Sequence, residues 1–166
     1  MEEQNIVATY VKAPVFKNAE IALVSSCLKT VSPSIWEELK KKYVVFVFCP
    51  ELHGQAALYG KLASIIRSTH PKKIVVVTIE GSPHCFTMHA AVNEAMYILG
   101  ESIPHEHYVV LNDKMIRISR EAIRVARYLH IVDKLIKENP EILKELSKYS
   151  LEYKKALETD DAEIKT

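Results

Sequence analysis

Residues 73–85 read KIVVVTIEGSPHC, and this stretch decides the fold. After Lys73 every residue up to Ile79 is β-branched. Such residues favour extended backbone, because branching at Cβ restricts the side chain less on a pleated surface than on a helix. The run is continuous rather than alternating, as expected for a strand covered on both faces in a parallel sheet. Gly81 then supplies a tight turn, and Ser82-Pro83 reads as a helix start, with serine at the N-cap and proline at the first helical position. This predicted helix ends near Gly100.

Two similar runs precede it, Ile21 to Ser25 and Tyr43 to Phe48. The first leads to a helix opening at Ser32-Pro33 and reaching about Lys42. The second leads to a helix from about Gly54 to Ser68, stopped before Pro71. Residues 20–100 therefore read β-α-β-α-β-α. Right-handed crossovers then predict a three-layer α/β/α sandwich on a mainly parallel sheet of four or five strands. His107 to Leu111 reads as a fourth strand, Asn112-Asp113 as a turn, and Met115 to Ser119 as an antiparallel edge strand. The IVATYV stretch at 6–11 is a candidate for one more edge strand. A helix over 120–138, with apolar positions Ile123, Ala126, Ile131 and Leu135, and another from Pro140 to about Leu157 form a helical C-terminal extension. The closing ETDDAEIKT is expected to fray. No repeat or linker interrupts the chain, so one domain over 1–166 is expected, with its core at about 20–119 and C-terminal helices at about 120–157.

The 22 Lys and Arg against 21 Asp and Glu leave a net charge of +1, which argues against a general nucleic-acid binder. No apolar run reaches the roughly 18 residues needed to cross a bilayer. The first twenty residues hold no signal-peptide core, so a cytoplasmic protein is expected. With four glycines in all, neither a dinucleotide fingerprint nor a P-loop is present. Abundant Lys, Glu, Ile and Val with few Asn and Gln are compatible with a thermophilic source.

In an open parallel sheet, ligands bind beyond the carboxyl ends of the strands. All three cysteines fall there: Cys27 after the first strand, Cys49 after the second, Cys85 after the third. An odd count without a secretion signal points to free thiols or ligands rather than disulfides. If the strands are neighbours, the thiols share one crevice. Cys49 and His53, and Cys85 and His89, repeat a C-x-x-x-H spacing that places thiolate and imidazole on one helical face. Two such pairs would make a Cys₂His₂ zinc site. With Cys27 added and His84 as a further imidazole, an iron–sulfur or iron site is the softer alternative. Cys85, in the first turn of its helix, would sit where the macrodipole favours negative charge, which also suits a nucleophilic or redox-active thiol. Glu51 and Glu80 stand at strand ends, where each could act as a base or hydrogen-bond a metal-binding histidine; the plainer alternative is a carboxylate that satisfies a helix N-terminus. The plainer alternatives are buried inert cysteines, a His89 packed on the sheet and solvated loop histidines. Ser82 is explained by an N-cap. His105 and His107, at the opposite end, read as surface or interface residues, and His130 in its helix as a packed or surface histidine. Arg117, Arg120, Arg124 and Arg127 have loosely helical spacing that could meet an acidic partner, but read better as a solvated face. Tyr149 and Tyr153 read as a packing stripe or a dimer contact.

The same strand ends resemble those of the α/β domain that follows the cluster-binding part of certain ferredoxin-like proteins of anaerobes. In that family one strand ends in C-P-K and the next in M-E-V-P-C-C. Here the matching stretches are Phe48-Cys49-Pro50-Glu51 and Ile79-Glu80-Gly81-Ser82-Pro83-His84-Cys85, with Ser26-Cys27 ending the strand before them. The likeness covers about residues 20–112. His84 stands in place of a cysteine, Glu51 replaces the lysine, and one extra residue precedes Pro83. The cysteine-rich ferredoxin motifs themselves are missing. The resemblance implies a redox or metal context. The leading expectation is a small metal- or iron–sulfur-linked protein for electron transfer or redox sensing, with a redox protein as partner. The alternatives are a zinc or thiol enzyme in the same crevice, or a non-catalytic module that dimerises through its C-terminal helices. The C-x-D-x-R and H-x-x-C motifs of β-class carbonic anhydrases, which hold zinc at strand ends, are absent.

Overall fold

The computed structural model describes residues 4–163. The chain divides into two compact units, one ending at Arg124 and the other beginning at Val125.

The first unit is built on a six-stranded sheet. Its strands are β1 (Gln4–Asn5), β2 (Glu20–Ser25), β3 (Val44–Phe48), β4 (Lys73–Ile79), β5 (His105–Leu111) and β6 (Lys114–Ile118). They lie in the order β1-β3-β2-β4-β5-β6, parallel throughout except for β6, which pairs antiparallel with β5. The helices are α1 (Leu28–Val31), α2 (Pro33–Lys42), α3 (Pro50–His53), α4 (Ala56–Thr69), α5 (Phe86–Leu99) and α6 (Arg120–Val125). No helix is long and apolar enough to cross a membrane among the described residues.

The continuous apolar runs are covered on both faces. Ile21, Leu23, Phe46, Phe48, Ile74 and Val76 pack against α4 and α5 through residues such as Leu62, Ile66, Met88 and Val92. The alternate positions Ala22, Val24, Val47, Val75 and Val77 pack against Leu28, Ile35, Trp36 and Leu39 of α1 and α2. This is the expected α/β/α arrangement. The β5–β6 hairpin turns on Asn112 and Asp113, both at positive φ (50° and 56°), the backbone a two-residue hairpin loop of this twist demands. Gly81, at φ 75°, makes the turn after β4.

Several boundaries differ from the sequence reading. The helix expected at Ser82-Pro83 begins at Phe86, with Cys85 rather than Ser82 at its N-cap. Ser32 does hold the N-cap of α2, but its hydroxyl is buried without a partner instead of capping. A short α3 precedes α4 where one helix from Gly54 was expected. β5 begins two residues before His107, and the N-terminal edge strand is Gln4–Asn5, with turns over most of the 6–11 stretch.

The second unit holds α7 (Leu129–Glu138), α8 (Glu141–Tyr149) and α9 (Leu151–Glu163). The helix expected over 120–138 is thus broken between Val125 and Leu129, and the one from Pro140 is broken at Ser150. Helix continues to Glu163, well into the tail expected to fray. α7 and α8 are amphipathic and bury no residue; Ile131, Leu135, Ile142 and Leu146 stay exposed.

Phe46 is fully buried and stacks on Phe16 at 4.6 Å between ring centroids. Phe46→Ala should lower unfolding free energy by about 3–5 kcal/mol, since it removes the ring and leaves a cavity under α4. Urea denaturation measures this. A loss under about 1 kcal/mol would contradict the packing described.

Candidate functional site

The strand order makes β3, β2 and β4 neighbours, so the three cysteine-bearing segments leave adjacent strands at one edge of the sheet. Cys27 is exposed ahead of α1, Cys49 is half-buried after β3, and Cys85 is buried at the head of α5; all three are free thiols. His84 Nε2 lies 2.9 Å from Glu51 Oε2, which links the loop after β4 to the start of α3. Both side chains are exposed, so the pair holds the loops only weakly. Glu80 stands exposed with no side-chain partner among the described residues. At the end of β2, Ser25 carries a buried hydroxyl without a partner.

The two C-x-x-x-H pairs do not form chelates. His53 Nδ1 donates to the Cys49 carbonyl at 3.0 Å, and Asn5 Nδ2 donates to His53 Nε2 at 2.7 Å. Its ring stacks on Phe48. His89 is buried and turned into the sheet: Nε2 meets Thr78 Oγ1 at 2.8 Å and Nδ1 meets His107 Nδ1 at 3.1 Å. Both nitrogens of each ring are engaged inside the fold, which leaves none for a metal shared with Cys49 or Cys85. Among the described residues no three His, Cys, Asp or Glu side chains come together as a metal centre needs.

The histidines placed on the surface by the sequence reading are instead buried. His107 is 1% exposed and His105 6%. The period of two along β5 sends both to the face covered by α5, where they meet edge to face at 5.4 Å. Had β5 been started at His105, that alternation would have revealed them. Thr78, His89 and His107 thus form a hydrogen-bonded chain through the interior. Between the facing Nδ1 atoms one ring must donate and the other accept. Both imidazoles cannot be protonated together without setting two N–H groups against each other. Burial pushes His89 down to about 4. Burial, and then the neighbouring His89, His105, Arg120 and Arg124, push His107 down to about 3. His130, by contrast, is exposed, the surface one of its two expected placings, and rests edge-on to Tyr128.

A pH dependence follows. The unfolded imidazoles bind protons near pH 6.5, whereas the folded ones resist them until about pH 4 and 3. Stability is therefore complete above about pH 6.5 and falls as the pH drops toward those values, by up to about 1.4 kcal/mol per pH unit for each histidine. Urea midpoints at pH 7 and pH 5 should differ accordingly, and His107→Gln should flatten the slope. An unchanged midpoint would contradict the buried neutral pair.

Neither a curated protein nor a solved structure matches the chain. A family model does match, over residues 13–163, and its description agrees with the parallel sheet and crossover helices seen here. By that match the chain belongs to the family of the Rossmann-like domain.

Proposed function

We propose that the protein is a small thiol-bearing redox protein, linked to a soft metal or an iron–sulfur cluster and serving electron transfer or redox sensing. One observation carries this reading: three adjacent strands each deliver one of the three cysteines to the same edge of the sheet. The engagement of His53 and His89 within the fold strengthens the sulfur character of the donors that remain, which are Cys27, Cys49, Cys85 and the exposed His84. A thiolate-rich set favours iron–sulfur or soft-metal chemistry over a Cys₂His₂ zinc site. The donors sit on three separate loops, so ligation would draw those loops together over the end of β2. Unpaired thiols suit a reducing, cytoplasmic setting and a redox protein as partner. The short strand-end resemblance to ferredoxin-like proteins supports the same context.

A second reading is metal-free thiol chemistry at Cys85, with His84 beside it in sequence. It is favoured by the place of Cys85 at the head of the 14-residue α5, where free backbone N–H groups favour negative charge.

Metal and acid-labile sulfide analysis of anaerobically purified protein separates the two. The redox-cofactor reading expects near-stoichiometric iron with sulfide, lost in Cys49→Ala and in Cys85→Ala. Metal-free protein in which Cys85 alone reacts fast with a thiol reagent would replace it with thiol chemistry. No metal and uniformly slow thiols would end both readings.

A further inference from the structure

The three cysteines are not equivalent in place. Ser25 at the end of β2 stands opposite Phe48 at the end of β3. The Ser26 N–H donates to the Phe48 carbonyl at 3.1 Å, which carries the parallel ladder one step further and sets Ser26 beside Cys49. Neighbouring strands run about 4.8 Å apart and one more residue adds about 3.3 Å, so the Cα atoms of Cys27 and Cys49 lie about 6 Å from each other. A disulfide spans Cα separations of about 4.4–6.8 Å.

Side-chain direction agrees. Phe46 and Phe48 pack into the layer of α4 and α5, and Val47 between them into the layer of α1 and α2. Cys49 is still extended, at φ −122° and ψ 108°, so the alternation turns it to the α1 face. Cys27 is the N-cap of α1. The Cys49 backbone is held by the hydrogen bond from His53 to its carbonyl, and His53 is held in turn by Asn5. Cys85 stands apart: it follows β4 only after the 80–84 loop, is buried, and heads α5 in the layer on the opposite face. Access completes the division, because Cys27 is exposed and Cys49 half-buried.

We propose that Cys27 and Cys49 are a redox pair that closes to a disulfide by exchange with a low-molecular-weight disulfide. Cys27, the more exposed, gives up its proton to solvent and attacks one sulfur of the oxidant. The oxidant's S–S bond breaks, one thiolate leaves and takes up a proton, and a mixed disulfide remains on Cys27. Cys49 then loses its proton, attacks the Cys27 sulfur and expels the second thiolate, which is protonated in the same way. Two cysteine thiols are thus oxidised by two electrons, and one small disulfide is reduced to two thiols. An excess of the small thiol reverses both steps. This switch rests on the redox reading of the edge and adds its regulation: sulfurs bound to each other are no longer thiolate ligands, so oxidation withdraws two of the three.

The test starts from the full chain, stripped of metal by a chelator under reducing conditions and incubated with oxidised glutathione. Free thiols are then alkylated and the digest is mapped by mass spectrometry. The intact chain should become about 2 Da lighter, with the Cys27 and Cys49 peptides joined, Cys85 alkylated, and dithiothreitol restoring the starting mass. Cys49→Ser should stop at glutathione on Cys27. Cys27→Ser, at an exposed position, should slow glutathione attachment about tenfold or more. The wild-type map decides even where a variant fails to fold. A bridge that includes Cys85, glutathione left on Cys27 of the wild type, or a bridge between two chains in place of the internal one would each overturn the proposal. Metal and sulfide analysis of the anaerobic protein keeps the two readings apart. Iron with sulfide, but no bridge after stripping, would remove the switch and keep the redox-cofactor reading. A bridge in a protein that never binds metal would keep the switch and remove the cofactor.

Discussion

Everything in the first unit depends on β2 being paired on both sides and covered on both faces. It lies between β3 and β4, and its residues Ile21 to Ser25 are buried. Parallel pairing needs a crossover between each pair of strands, and each crossover helix needs an apolar face of the sheet to lie on. That mutual requirement puts α4 and α5 on one face and α1 and α2 on the other. It also brings three strand ends together at one edge. That the three cysteine-bearing loops leave neighbouring strands is a consequence of the pairing, not of any local motif.

The buried histidines show the same constraint acting on polar groups. An imidazole in the interior must place both nitrogens, and His89 does so with Thr78 on β4 and His107 on β5. Low polarity around the rings then favours the neutral forms. Towards β6 that satisfaction runs out, and the Nε2 atoms of His105 and His107 are buried without a partner. The cysteines follow the carboxyl ends of their strands, whereas the buried imidazoles gather at the start of β5.

The second unit behaves differently. Its helices carry strong apolar stripes yet bury no residue of α7 or α8. Their breaks at 126–128 and at Ser150 have no proline or glycine to mark them, so periodicity ran two helices together in each case. Such helices gain most of their stability from what covers the apolar face, and that is a property of contacts rather than of propensity.

The alternation of β-branched runs with helical periods was enough to determine the layers of the first unit, and the Asn112-Asp113 pair the hairpin. These are local properties, set by Cβ branching, turn dihedrals and short crossovers. Spacing could not say where a ring would turn. Cys85 and His89 are four residues apart, but His89 is drawn to Thr78 and His107, residues 11 and 18 positions away in the chain. Likewise Cys49 and His53 share a helical spacing, while His53 is held by Asn5 of β1, the edge strand beside β3. Tertiary structure decided these orientations, because a buried nitrogen is satisfied by whichever polar group the packing brings within reach.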